Sequence, residues 1–209
     1  MNDDILTEPF LLAEDDDELG CWMAAEVPLT RDLNTLLEDL HGAVGSGFVW
    51  TWKKKTSHGE FKPLDGENNI FVVGGETAED YSNLLNAARK AVEYGYRVFV
   101  LPNPKGIRTA DFIFERKGVY KLFDLKTITG KASVSNRLLE SIGQTNRVLL
   151  NMTVDYNPMA LARNIKSYFE HNANACEVMI FKGNKQISIT RKSIDDRKFY
   201  KTFIRRYTK

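Results

Sequence analysis

Asp111, Asp124 and Lys126 are the residues whose types and spacing could do chemistry. Positions two apart on a strand share a face. Within the apolar run Val119-Tyr-Lys-Leu-Phe-Asp-Leu-Lys126, Asp124 and Lys126 therefore project together while Leu125 turns the other way. Arg116-Lys-Gly118 reads as a turn that folds this run back on Ala110-Asp-Phe-Ile-Phe114. Such a hairpin brings Asp111 near Asp124 or Lys126. Two converging carboxylates make a hard oxygen site suited to Mg²⁺ or Mn²⁺. A cation there polarises a phosphate and acidifies a bound water, and the Lys126 ammonium can orient that water or stabilise a pentavalent phosphate. Acids and lysines at two-residue spacing also decorate ordinary exposed strands. Here Phe112, Ile113, Phe114, Leu122, Phe123 and Leu125 make the surrounding strands apolar, and charge inside such strands needs a reason.

Other polar residues flank this trio. Thr127, Thr129, Lys131, Ser133 and Ser135 follow it in a polar loop, where Thr127 and Lys131 are candidates to touch a nucleic-acid backbone phosphate. Lys105 and Arg108 border the other side and are candidates for the same work. Gln144 ends a predicted helix: its amide can hold a phosphate or a base edge, or simply cap the turn. His41, His58 and His171 lie away from the trio and receive no role, and Asn151 and Asp155 read as turn-makers at a strand end.

The elements that must position these residues follow from periodicity. Helical spacing predicts helices over 78–94 (Tyr81, Leu84, Leu85, Ala88, Val92), 134–145 (Val134, Leu138, Ile142) and 158–171. Strands are predicted over 69–73, 96–101, 110–114, 119–126, 147–152, 177–182 and 186–190, the last two as a hairpin around Gly183-Asn184. The order from the first of these helices is αβββαβ followed by αββ, and a central mixed sheet flanked by helices buries those stripes most economically. The fold class is α/β. Upstream, Thr30–His41 reads as a helix and Phe48–Trp52 as a strand, and a polar, turn-rich stretch from Lys53 to Gly66 marks a boundary. The predicted organisation is an appendage over 1–68, an α/β domain over 69–190 and a basic tail over 191–209.

With 43% hydrophobic and 27% charged residues the composition is globular. No apolar run approaches the roughly 20 residues of a membrane helix, and the first residues lack the basic start and apolar stretch of a signal peptide. Cys21 and Cys176 stand alone, which excludes a disulfide framework or a cysteine metal knuckle. A soluble cytoplasmic protein is the expectation. A net charge of +1 hides a polarity: residues 1–20 hold eight acids and no base, and residues 191–209 hold eight bases against Asp195 and Asp196. Phe199, Tyr200, Phe203 and Tyr207 interleave with those bases, as stacking rings do in single-strand nucleic-acid sites. They are equally able to pin an amphipathic end-piece onto the domain.

Four segments taken together resemble a known family. Gly95-Tyr-Arg-Val-Phe-Val-Leu-Pro102, Thr109-Ala-Asp-Phe-Ile-Phe114, Phe123-Asp-Leu-Lys-Thr127 and Ser141-Ile-Gly-Gln-Thr-Asn-Arg-Val-Leu-Leu-Asn151 are similar to the C-terminal tRNA-nuclease domain of CdiA contact-dependent growth-inhibition toxins, a module that also occurs in phage and mobile-element proteins. The resemblance covers roughly residues 78–190. It implies a fold like the PD-(D/E)xK nucleases, cleavage of tRNA or another structured RNA, and a cognate immunity protein as partner. It places Asp111, Asp124 and Lys126 in the metal and catalytic positions. The family's proline before the first acid is Ala110 here, and its upstream helix acid corresponds best to Glu79 or Asp80. Domains of similar texture include a metal-independent type resembling barnase and RelE, in which Lys126, Thr127, Ser141 and Gln144 would carry the chemistry. Two further readings remain beside an RNA nuclease: a DNA endonuclease with the same residues, and a catalytically idle nucleic-acid-binding or assembly module.

Overall fold

The computed structural model describes residues 61–72, 81–101, 110–117, 119–130, 134–142 and 144–209. The expected helix over 30–41 and strand over 48–52, and Glu79, Asp80, Lys105, Arg108 and Lys131, lie outside the described residues.

Thirteen elements are described, in the order β1 (Lys62–Leu64), β2 (Glu67–Val72), α1 (Tyr81–Glu93), β3 (Arg97–Val100), β4 (Phe112–Arg116), β5 (Val119–Ile128), α2 (Val134–Glu140), β6 (Arg147–Met152), α3 (Pro158–His171), β7 (Glu177–Lys182), β8 (Lys185–Thr190), α4 (Arg191–Asp195) and α5 (Phe199–Thr208). The strands form one mixed sheet whose spatial order is their chain order, β1 to β8. Pairing is parallel for β2/β3, β5/β6 and β6/β7 and antiparallel for the rest. The α/β class and the αβββαβ-αββ order are as expected. β1 and the start of β2 were not: their residues are mostly polar and flank a turn at Gly66, whose φ of +78° suits glycine. They add an edge hairpin to the sheet, beginning inside the stretch read as a boundary.

Alternation along β5 and β6 assigns the two faces. Val148, Leu150, Met152 and Ile128 pack with Val134 and Leu138 of α2, with Leu161, Ile165 and Phe169 of α3, and with Phe199 and Phe203 of α5. Phe123, Leu149, Phe112 and Phe114 pack on the opposite face with Leu84, Ala87, Ala88 and Ala91 of α1. The result is three layers. Asn157 caps α3, its side chain accepting from Ala160 N at 2.9 Å, and Pro158 supplies the pre-set first turn. α2 stops at Glu140, five residues short of the sequence expectation. Ser141 turns its hydroxyl back to Leu138 O (2.6 Å), and the Gln144 amide caps Glu140 O (2.9 Å).

Residues 191–209 fold onto the domain. Phe199, Phe203 and Tyr207, spaced four apart on α5, are all buried, and Lys185 Nζ donates to Tyr207 O at 3.2 Å. Arg191 caps the end of α3 through the carbonyls of Asn172 (2.7 Å) and Ala173 (2.8 Å). Lys192, Arg197, Lys198, Lys201, Arg205, Arg206 and Lys209 stay exposed. Among the described residues no helix is long and apolar enough to cross a membrane.

Candidate active site

The site forms where β5 changes partners. Residues 119–123 pair with β4, and residues 124–128 pair with β6. Asp111 sits one residue before β4. Its N–H donates to Phe123 O at 2.9 Å, which continues the ladder by one step, and its side chain then takes the place of a strand: Oδ2 accepts the Leu125 N–H at 2.7 Å. Because Phe112 faces Phe123, the next pair across the fork is Asp111 with Asp124. Asp124, Lys126 and Ile128 alternate onto the face covered by α2 and α3, with Val148 and Leu150 as their neighbours in register.

Asp124 is almost completely buried. Lys126 Nζ donates to Asp124 Oδ1 at 3.1 Å and lies 2.9 Å from Oδ2 without hydrogen-bond alignment, so Oδ2 is a buried carboxylate oxygen with an ion-pair neighbour but no hydrogen bond. Burial pushes the Asp124 carboxyl up to about 7; the adjacent Asp111, within hydrogen-bonding reach, adds to the rise, and Lys126 opposes it. Beneath Asp124 lies Tyr168, whose hydroxyl accepts from Asn172 Nδ2 at 3.2 Å and bonds Ser141. Its phenol is pushed up by burial, and the charge of Asp124 adds to that.

Buried Asp124 and half-buried Asp111 and Lys126 therefore cluster at one spot. Among the described residues no group of three or more His, Cys, Asp or Glu assembles. The donor set nevertheless fits a hard divalent cation. Among the described residues two carboxyl groups lie beside one lysine, and Asp124 Oδ2 is a buried oxygen without a hydrogen bond. Mg²⁺ characteristically takes one or two carboxylates and completes its shell with water and phosphate.

Of the flanking candidates, Thr127 is turned to the opposite face of β5 from Lys126, toward α1. Gln144 is partly buried and donates to the α2 terminus. Ser141 is fully buried behind Asp124. Lys126, Thr127, Ser141 and Gln144 thus do not gather on one surface, whereas Asp111, Asp124 and Lys126 do. Sequence reasoning missed Tyr168, which a helical stripe of apolar residues disguises as core.

The fold and site define an α/β domain with an acid–acid–lysine cluster at a sheet fork. No protein-family model matches the chain, and no curated protein matches it. Among solved structures, a chain of the CdiA-CT/CdiI toxin and immunity complex from Burkholderia pseudomallei aligns at 17% identity with a TM-score of 0.40, covering 57% of this chain and 98% of that one. A likeness of that size does not bear on activity.

Proposed function

We propose that the chain is a nuclease that cleaves RNA phosphodiester bonds, with tRNA or another structured RNA as substrate, by a metal-assisted mechanism. The observation that carries this reading is the convergence of Asp111, Asp124 and Lys126 on one face of the fork, with a carboxyl whose proton affinity is raised to about 7. Burial is the main reason this carboxyl holds its proton, with Asp111 adding to it, and a divalent cation bound there would favour the ionised form. Asp111 and Asp124 would hold Mg²⁺ or Mn²⁺, which supplies Lewis-acid polarisation of the phosphate when bound. Lys126 orients the attacking water or neutralises charge building on the phosphate oxygens. Leu125 N–H fixes the Asp111 carboxylate, and the α2–α3 layer buries Asp124, which strengthens its charge interactions. The preference for tRNA and a cognate immunity protein as partner rest on the motif resemblance, and a cytoplasmic site of action rests on the sequence composition and the isolated cysteines.

The test is incubation of the full chain with total tRNA and with plasmid, each in Mg²⁺ and in EDTA. Cleavage of tRNA in Mg²⁺ alone is expected. Cleavage that survives EDTA would move the chemistry to the metal-independent set, and cleavage of plasmid alone would make the protein a DNA endonuclease. Neither substrate cut in either condition leaves a binding module.

A further inference from the structure

On the opposite face of β5 from Asp124, the polar groups form a chain with a fixed sense. Thr127 and Asn151 are register partners, one step from the C-terminal ends of β5 and β6. Asn151 is 1% exposed, and α1 lies over it. The Lys90 ammonium can only donate, so the atom 2.7 Å from it is the Asn151 oxygen. The Asn151 amide nitrogen therefore points to Asn86 and donates to its Oδ1 at 3.2 Å. That leaves the Asn86 amide nitrogen as the outward group, on an exposed residue. Beside them the Thr127 hydroxyl is buried with no hydrogen-bond partner. The niche thus presents donors outward, the N–H bonds of Lys90 and the NH₂ of Asn86, with the buried Thr127 hydroxyl, able to donate or accept, beside Asn151 in register.

Lys90 forms no ion pair among the described residues; the acid that acts on it is Glu93 of its own helix, and partial burial lowers its pKa. An ammonium held between neutral amides, at the carboxyl ends of adjacent parallel strands, is an arrangement that favours an anion. A cation or a donor-rich ligand finds too little to bind there. Thr127 follows Lys126 directly, about 3.8 Å along the chain. Lys126 and Thr127 are thus chain neighbours on opposite faces of β5, close to its C-terminal end.

We propose that Lys90, Asn86 and Thr127 form an anion niche that takes a backbone phosphate of the nucleic acid, flanking the phosphate to be cut. This rests on the nucleic-acid reading above and adds a second contact to it. Binding of labelled tRNA is measured in EDTA over a range of salt, which separates affinity from cleavage. Lys90→Met is expected to weaken binding about tenfold and to reduce the slope of log K against log salt by roughly 0.7 to 0.9. Lys90→Arg retains both, and Thr127→Val, which keeps the strand's branched shape, weakens binding less. Melting with inorganic phosphate against chloride at equal ionic strength separates a free anion from a strand. Phosphate protection that depends on Lys90, with tRNA affinity unchanged in Lys90→Met, overturns the nucleic-acid assignment. Wild-type affinity and slope in both Lys90→Met and Thr127→Val overturn the niche itself, as does a wild-type chain that does not bind tRNA. Failure of the nuclease reading is separate: it shows as tRNA bound in EDTA and left uncut in Mg²⁺.

Discussion

Two buried carboxylates in this sheet are treated in opposite ways. Glu177, at the start of β7, is 2% exposed, and Asp124, at the middle of β5, is 1% exposed. Glu177 receives a hydrogen bond from Ser188 Oγ at 2.6 Å and one from Lys121 Nζ at 3.0 Å, with Arg147 Nε 3.7 Å away. One carboxylate there faces two cations. At the fork, among the described residues, two carboxyl groups lie beside one lysine. Burial is the same in both places, so burial alone does not mark a functional acid. The raised proton affinity of Asp124, beside a second carboxyl, is what makes it the candidate of the two.

The sharpest way to break this comparison is Asp124→Ala. It is expected to reduce Mg²⁺-dependent RNA cleavage by at least about 10³-fold, with an unchanged circular dichroism spectrum; undiminished turnover would remove Asp124 from the chemistry. Glu177→Ala tests the other side. Leaving Lys121 and Arg147 without their shared carboxylate should cost about 3 kcal/mol or more of stability in a denaturant titration, while the folded fraction keeps its specific activity.

The third test is pH. The Asp124 carboxyl is raised from 3.8 to about 7 in the folded chain. Its contribution to stability is therefore full below about pH 4 and is lost as pH rises through about 7. In EDTA, the stability of Asp124→Asn relative to wild type should grow over that window, with a limiting slope of about 1.4 kcal/mol per pH unit. Added Mn²⁺ should protect the wild type more at about pH 8 than at about pH 6, since it requires the ionised pair. A stability difference that is flat with pH would contradict the raised proton affinity of Asp124.

The smallest effect concerns α5. Its rings are buried and its bases are exposed, so Lys201→Ala with Arg205→Ala should leave the melting temperature near that of wild type. The salt slope of RNA binding should fall by roughly 0.7 to 0.9 for each phosphate contact removed. An unchanged slope would make that face mere solvated surface.

Much of this arrangement was legible in the sequence because local signals agreed. Strand periodicity placed Asp124 and Lys126 on one face, the Arg116-Lys-Gly118 turn brought Asp111 to them, and α3 carried its own cap and proline. The remainder depended on contacts that periodicity does not encode. Thr127 reads as the start of a polar loop after a strand ending at Lys126, but pairing with β6 carries β5 on to Ile128 and so turns Thr127 to the α1 side. Lys90 and Asn86, four apart on a helix, look like a solvated stripe until Asn151 is found beneath them. Asn151 itself resembles a turn-maker and is instead buried inside β6. The α5 rings carried two meanings in sequence, stacking platform or packing stripe, and their burial selects packing.

The sheet is laid down in chain order, each strand beside the one before it. Among the described residues no strand must wait for a distant segment before it can pair, and the longest delay is one helical crossover. A chain built this way can assemble progressively, the last-placed strand serving as template for the next. At every stage its growing edge is an open row of backbone donors and acceptors, the kind of edge that invites pairing with another chain. Growth ends at β8, where the chain leaves the sheet and α4 and α5 return across the α3 layer.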